Sequence, residues 1–249
     1  MTYFYIGLIV ACGAMIQGAI GFAFGIFSIP LLVWVGFPLE QAITLVLGLV
    51  VVQTLSSIWQ NRAEVPWREL IAISIPRYLA VVLGVYLLHY VRQNWEAGQI
   101  RQLIGACLLV IISVQLGLRP NPRESLAWWW AWITGSLSGV MAGLIGMGGP
   151  AVVLWVIAHD WDSQKSRTLL WCAFSIMVPW QILVAWQRFG WPVVESAGLG
   201  LAYSPIVFVA TLVGTRIGNR ISQATLRYVA YGILIMIGLS SLLGPWIRG

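Results

Sequence analysis

Apolar runs follow one another along nearly the whole chain, and most are long enough to cross a lipid bilayer. They lie at about 3–36, 39–60, 70–91, 99–118, 126–159, 166–187, 193–219 and 225–247. A helix needs roughly 20 apolar residues to span about 30 Å of hydrocarbon. So many runs exclude a single membrane anchor. We therefore expect an all-α polytopic membrane protein, with one membrane domain over residues 1–249 and the lipid bilayer as its surroundings.

Composition and charge agree with a lipid environment. Apolar residues make up 59% of the chain and charged residues only 9%. The net charge of +6 comes from lysines and arginines scattered singly through short segments between the runs. Loop charge of this kind sets membrane topology, whereas a nucleic-acid surface concentrates its basic residues. We therefore expect no nucleic-acid partner.

The residue types that carry catalysis or bind metals do not form a recognisable group. Cys12, Cys107 and Cys172 lie in three separate apolar runs, and His89 and His159 lie at segment ends without metal-ligand spacing. The sequence also lacks a Ser/His/Asp grouping, an HExxH motif and a phosphate-binding loop. An enzyme, a cofactor and a metal site therefore have no support in the residues.

Two of the runs are too long to be single spanning helices. The run 3–36 has 34 residues and would extend about 51 Å as one helix. Each long run contains a glycine-rich break, and Gly18, Gly21 and Gly25 are matched by Gly143, Gly146 and Pro150 at a constant offset of 125 residues. This match predicts an internal duplication. Repeat one covers about 3–118 and repeat two about 126–247, each with one broken segment and three ordinary ones.

Length and charge together favour re-entrant hairpins at the two breaks. The helix after the first break, 22–35, would extend only about 21 Å. With Arg77 left out because it lies inside a run, nine basic residues share one side of the membrane and four the other if both broken segments turn back. If every segment crosses, the division is six and seven. The positive-inside rule prefers the first arrangement. With three crossings per repeat, the second repeat would be inverted relative to the first, a plan that many transporters use. Crossing by both broken segments remains the alternative.

The glycine breaks are the predicted binding elements. Glycine lets a ligand approach the main chain closely, and the helix that follows begins with free N–H groups at the positive end of its dipole. Two such ends aimed at one central site would suit an anion. The predicted substrate-binding residues of the breaks are Gly21, Phe22, Ala23, Gly25, Gly146, Met147, Gly148, Gly149 and Pro150. The alternative is close helix packing, which we favour for Gly18, Gly139 and Gly143.

Four polar side chains within the apolar runs are further candidates. Arg77 follows Pro76 inside a run, where it is either an anion ligand or gate charge, or a side chain that snorkels toward the basic side. Gln17, Gln53 and Gln181 could donate hydrogen bonds to an oxyanion or bond helix to helix. Weaker candidates, which more often bond to their own helix, are Ser28, Thr44, Ser175 and Ser204.

The duplicated glycine motif resembles that of a known family. The segment Gly18-x-x-Gly21-x-Ala-x-Gly25 leading to Pro30, its repeat Gly143-Leu-Ile-Gly146-Met-Gly148-Gly149-Pro150, the length and the duplicated plan resemble the sulfite exporter TauE/SafE family. The resemblance implies movement of sulfite, organosulfonates or other small sulfur-containing anions across a bacterial-type inner membrane. The first motif is less glycine-rich than members usually show, with Phe22, Ala23 and Phe24 where small residues are common.

The function that these features predict is secondary transport of a small anion. The transporter, an exporter by resemblance, would work by alternating access with its substrate held at the two glycine-rich breaks. The driving force would be an ion gradient or the gradient of the substrate itself, because the sequence has no ATP-binding motif. The alternative is a non-transporting membrane scaffold or assembly factor, in which the breaks would serve packing alone.

Overall fold

The described part of the chain folds almost entirely into α-helices. The computed structural model describes residues 2–20, 23–60, 62–117, 122–218, 220 and 223–248. The helices are α1 (Thr2–Ile20), α2 (Phe24–Trp34), α3 (Leu39–Gln60), α4 (Trp67–Asn94), α5 (Ala97–Gly117), α6 (Trp128–Ile145), α7 (Gly149–Ile157), α8 (Ser163–Ser175), α9 (Val178–Phe189), α10 (Trp191–Ala202), α11 (Ser204–Gly218) and α12 (Gln223–Arg248). Within the described residues every predicted apolar segment is mainly helical, and the segment predicted at 39–60 coincides with α3.

The chain reverses direction at both glycine breaks. Gly13 on α1 packs against Phe24 and Ser28 on α2, and Gly148 packs against Ser138 and Ala142 on α6. Residues fifteen positions apart would be separated by about 22 Å along one straight helix. The contacts therefore require that α2 folds back along α1, and that the chain after α6 turns back on it. The membrane depth of the two hairpins remains a prediction.

Two segments that we predicted to be ordinary are interrupted. The segment 166–187 consists of α8 and α9, separated by Ile176 and Met177. The segment 193–219 consists of α10 and α11, which are bent by 52° at Tyr203. A proline, Pro179 or Pro205, stands in the first turn of the helix that follows each interruption, and proline cannot donate the N–H that would continue the helix. The bend in 193–219 thus departs from the prediction of three ordinary segments in the second half, whereas 166–187 still lies within one membrane-length helical stretch, Gln164–Phe189.

Several helices are long and apolar enough to cross a membrane. Within the described residues these are Trp67–Asn94, Ala97–Gly117 and Gln164–Phe189, and the bent pair α10–α11 makes a fourth span if it is counted as one. Other helices have shorter apolar stretches of 10–17 residues, among them Tyr3–Ala19 and Phe24–Trp34. Lengths and composition are those of a multi-pass membrane protein.

Helix α4 shows how the chain divides its residues between lipid and protein. Trp67, Ile71, Ile75, Leu79 and Leu83 are exposed at every fourth position, so they form one continuous apolar stripe along the helix. The opposite face, which includes positions 73, 77 and 81, is buried. An apolar stripe of this length would be a liability in water and is suited to a bilayer. Arg77 thus lies on the face of α4 that meets protein.

The helices group into two compact units. Unit 1 comprises Met1–Leu49, Val91–Val114 and Glu195–Gly249, and unit 2 comprises Val50–Tyr90 and Gln115–Val194. Each unit combines helices from both halves of the sequence. The first break lies in unit 1 and the second break lies in unit 2.

Glycines on the first helix of each hairpin allow close packing within each unit. In unit 1, a Cβ added to Gly18 of α1 would overlap the carbonyl oxygen of Thr211 on α11. In unit 2, a Cβ on Gly139 of α6 would lie 2.6 Å from the Arg77 carbonyl oxygen, and one on Gly143 would lie 2.5 Å from that of Val81. These distances leave no room for a side chain. The glycines that we assigned to packing thus have that role in the structure.

Candidate functional site

The second break has the better defined geometry. Gly146 ends α6 with φ at +72°, a left-handed conformation that glycine adopts without strain, and its N–H donates to the Ala142 carbonyl (3.0 Å). Helix α7 begins at Gly149, and no side chain caps its N-terminus. The N–H groups of Gly149 and Ala151 belong to the first turn of α7, where a helix supplies no acceptor of its own, and Pro150 between them has no N–H. Helix α7 therefore begins with two donors that the helix itself does not satisfy, at the positive end of its dipole.

Gly148 and Gly149 differ in what surrounds them, although we predicted both as ligand-binding residues. The Ser138 hydroxyl donates to the Gly148 carbonyl (2.6 Å), and a Cβ on Gly148 would overlap the Ser138 carbonyl and lie 2.7 Å from Ala142 Cβ. A Cβ on Gly149 would meet the Phe174 ring at 3.4 Å, an ordinary contact. Packing therefore explains the glycine at 148 and does not explain the one at 149.

The rest of this break is enclosed by protein. Met147 is buried, and Pro150 is buried in the first turn of α7. Farther along α7, Val152 and Trp155 pack in one apolar cluster with Ala173 of α8. Helix α7 is thus held inside unit 2, with its N-terminal glycine half-buried. Irregular backbone at membrane depth needs surroundings of this kind.

Arg77 lies close to this break and has little to balance its charge. The side chain is 2% exposed, and its Nη1 donates to the Ala173 carbonyl (2.7 Å). Its guanidinium carbon lies 5.5 Å from the centre of the Phe174 ring, and its Nε is buried without a hydrogen-bond partner. The described residues contain one ion pair, Arg92 with Glu40, so Arg77 has no carboxylate beside it. Its stem packs in protein, which removes the lipid contact that snorkelling requires.

Helix α4 holds the interruption between α8 and α9 in place. Arg77 donates to the Ala173 carbonyl, and the neighbouring Tyr78 hydroxyl donates to the Ile176 carbonyl. In the other direction, the Trp180 indole N–H donates to the Tyr78 carbonyl (2.9 Å). Carbonyl groups at the end of α8 lack helical donors, and these side chains supply them. Part of the hydrogen-bonding capacity of Arg77 therefore serves the fold.

The glutamines divide between the two units. Gln181 is buried in α9, and its Nε2 donates to the Ala142 carbonyl (2.7 Å) at the end of α6, so the amide bonds helix to helix as the alternative reading allowed. Gln53 lies half-buried on α3 in unit 2. Gln17 lies half-buried on α1 in unit 1, and its Oε1 is buried without a partner. Gln181 thus positions the second break through the same carbonyl that accepts from Gly146.

The first break is only partly described. Gly21 and Phe22, two of its predicted ligand residues, lie outside the described residues. Ala23 is buried with φ at +87° and precedes α2, which has no side-chain cap, and Gly25 is half-buried in the first turn. The residue after Ala23 is Phe24, whose ring would lie 3.1 Å from a Cβ added to Gly13, so it packs closely on α1.

The weaker candidates are mostly bonded within the protein. Thr44 and Ser204 donate to carbonyls of their own helix or the preceding turn, and Ser175 is hydrogen-bonded to Thr54 in unit 2. Ser28 is fully buried, and its hydroxyl has no partner within the described residues.

Phe174 is the residue that sequence reasoning missed. It stands in an apolar run beside many other aromatic residues, and no local pattern singles it out. Its position depends on α4 and α7, since one ring contacts both Arg77 and Gly149. Only the tertiary structure brings these three residues together.

Comparison with known proteins gives a family and a relative. A model of the family described as "Sulfite exporter TauE/SafE" matches residues 5–241. A protein of Cupriavidus necator named "Probable sulfite/organosulfonate exporter TauE" is 25% identical to the chain over 239 residues, which covers 94% of the chain and 91% of that protein. No solved structure matches the chain significantly.

Proposed function

The chain belongs to the sulfite exporter TauE/SafE family, and from that membership we propose that it is a secondary transporter that exports a small sulfur-containing anion across a bacterial-type inner membrane. The name of the Cupriavidus necator relative, a probable sulfite/organosulfonate exporter, supports this class of substrate. The multi-pass helical architecture is the one that such transport needs.

The observation that carries the proposal is the N-terminus of α7. Two main-chain donors, at Gly149 and Ala151, lie in the first turn of α7, where neither the helix nor a capping side chain provides an acceptor, and the residue that opens the helix has no side chain. Donors at the positive end of a helix bind sulfonate and sulfite oxygens well, because both the hydrogen bonds and the dipole favour negative charge. Arg77, one aromatic ring away, adds a full positive charge.

Alternating access by a duplicated, inverted chain is the mechanism we propose. Corresponding packing contacts in the two units support the duplication: the carbonyl of Met15 faces Gly214 in unit 1, and that of Val140 faces Gly84 in unit 2. Met15 and Val140 differ by the predicted offset of 125, and Gly84 and Gly214 by 130. Inversion of the second repeat is supported by the charge count of the sequence. The anion would be held at the glycine-rich breaks.

A membrane scaffold is the second candidate, and the packing of Gly148 is the observation that favours it. If the breaks served only to bring helices together, each glycine in them would be enclosed by neighbouring backbone, as Gly148 is. Gly149 does not fit that description, because its nearest neighbour is a rotatable aromatic ring. Substitution of Gly149 therefore separates the two functions.

The test is anion-dependent thermal stabilisation of the purified full-length protein with Gly149→Leu. We expect sulfite and methanesulfonate to raise the unfolding temperature of the wild type and to have no effect on the variant, whose leucine covers the donors. The matched control is Gly198→Leu, because a Cβ at Gly198 enters open space. Equal stabilisation of wild type and Gly149→Leu would favour the scaffold, as would the absence of any anion effect on the wild type.

A further inference from the structure

We propose that unit 2 binds its anion in a singly charged form, with the Arg77 guanidinium as the one counter-charge and Phe174 as the aromatic wall beside it. The inference rests on the proposed function and adds to it the charge of the substrate and a residue that positions it.

The first step is the isolation of the Arg77 charge. Of the lysines and arginines whose side chains the structure describes, Arg77 alone is buried. Its surroundings on α4 are Ile73 and Val81, one turn away on either side, both fully buried. A charge in such a place is costly unless it is paired and hydrogen-bonded. The protein nevertheless keeps it without a carboxylate partner in the described structure.

The second step is the incomplete hydrogen bonding of the guanidinium. An arginine has five N–H donors. One bond of Arg77 goes to the Ala173 carbonyl, and the buried Nε donates to none of the described residues. The face of the Phe174 ring offers a weak electrostatic substitute for an anion. A bound oxyanion would satisfy the unused donor and neutralise the charge together.

The third step links Arg77 to the helix end. The Phe174 ring contacts Arg77 with its face, and the ring atoms Cζ and Cε1 are those nearest Gly149. In the proposed site the anion takes the place that this ring would vacate by rotation, between the guanidinium and the first turn of α7. An anion in that space would meet one full positive charge and a partial charge of about half a unit from the helix end.

Charge balance then selects the ligand. A singly charged oxyanion is neutralised by Arg77, whereas a doubly charged one leaves a negative charge that no other buried cationic side chain in the described structure can meet. Uncompensated charge in a low-dielectric site is strongly unfavourable. The ring of Phe174 also gives an apolar surface for a small organic substituent. The site therefore fits a small sulfonate better than an inorganic dianion of the same size.

Methanesulfonate and sulfate are the probes, since they are close in size and differ by one charge at neutral pH. Binding of each to the purified full-length protein is measured by calorimetry at constant ionic strength. We expect methanesulfonate to bind about tenfold tighter or more. This comparison uses the wild type and therefore does not depend on whether any variant folds.

Variants then assign the preference to residues. Arg77→Gln should weaken methanesulfonate binding about tenfold or more, Arg77→Lys should retain part of it because the charge remains, and Phe174→Leu should weaken it several-fold. The matched control is Arg188→Gln, because Arg188 is an exposed arginine of the same unit that also lies over an aromatic ring, that of Tyr86 at 3.7 Å.

Each outcome decides something. Equal or tighter binding of sulfate by the wild type would overturn the charge inference and leave the proposed anion transport intact. Unchanged affinity in Arg77→Gln, with the preference retained, would overturn the assignment to Arg77. Binding of neither anion would count against the proposed function itself, and the charge inference would fall with it.

Discussion

The two glycine breaks share a sequence pattern but differ at the helix end that each presents. At the second break α7 opens with Gly149, which leaves two main-chain donors uncovered. Position 24, which corresponds to 149 at the offset of 125, holds a phenylalanine that packs on Gly13. The glycine pattern thus marks where the chain turns back, whereas the first residue of the following helix sets how exposed the turn is. Our proposal therefore makes the second break the stronger anion-binding element.

The largest loss of stability should come from Gly148→Ala, at the position where the second break is packed most tightly. The added Cβ would overlap the Ser138 carbonyl and crowd Ala142, and overpacking of a close contact costs about 1–3 kcal/mol. We expect the unfolding temperature of the purified protein to fall by roughly 2–12 °C without ligand. Gly198→Ala is the control, because a Cβ there meets nothing. A Gly148→Ala protein as stable as the control would mean that the break is looser than this account requires.

A smaller effect should follow from Ser138→Ala. Ser138 is fully buried and donates to the Gly148 carbonyl at 2.6 Å, and loss of one such bond costs about 1 kcal/mol. The first break has Gly13 at the corresponding position and therefore lacks this bond. We expect the unfolding temperature to fall by about 2–4 °C. The exposed Ser240, which bonds only within its own helix, provides the control Ser240→Ala. An equal response in the two variants would remove this difference between the breaks.

The smallest change in stability should come from Ala23→Gly at the first break, and it should be a gain. Ala23 has φ at +87°, which costs an alanine about 1–2 kcal/mol relative to glycine. The greater entropy of glycine in the unfolded chain cancels part of the gain. We therefore expect a net stabilisation of about 0.5 kcal/mol, visible as a small rise in the unfolding temperature. A fall would show that the Ala23 methyl group contributes more through packing than it costs in strain.

The sequence predicts the apolar segments and the glycine-rich breaks in the two long runs, because these features depend on local composition and on length. It does not predict the interruptions before Pro179 and Pro205. Proline is a poor guide here, since Pro30 and Pro76 lie inside uninterrupted helices. Whether a helix breaks at proline depends on whether the freed carbonyl finds a new donor, as the Leu201 carbonyl, which Pro205 leaves without its helical N–H, does in the Ser204 hydroxyl.

The same reasoning explains which parts of the site could be foreseen. The glycine-rich turns and the importance of Arg77 follow from the sequence, because a charge inside an apolar run has few places to go. The burial of Arg77 in protein, rather than snorkelling, is seen only in the structure. The distinction between Gly148 and Gly149 depends on which atoms of α6 and α8 lie opposite, and the part played by Phe174 depends on α4 and α7 together. Contacts between distant segments are not encoded in any local pattern.

Release of radiolabelled sulfite from proteoliposomes tests the central claim, transport of an anion through the second break, most directly. Vesicles with the wild type and with the Gly198→Leu control should release sulfite faster than protein-free vesicles. Vesicles with Gly149→Leu should release it no faster than protein-free ones, although the variant folds. Release from Gly149→Leu vesicles at the wild-type rate, or from wild-type vesicles at the protein-free rate, would contradict the account.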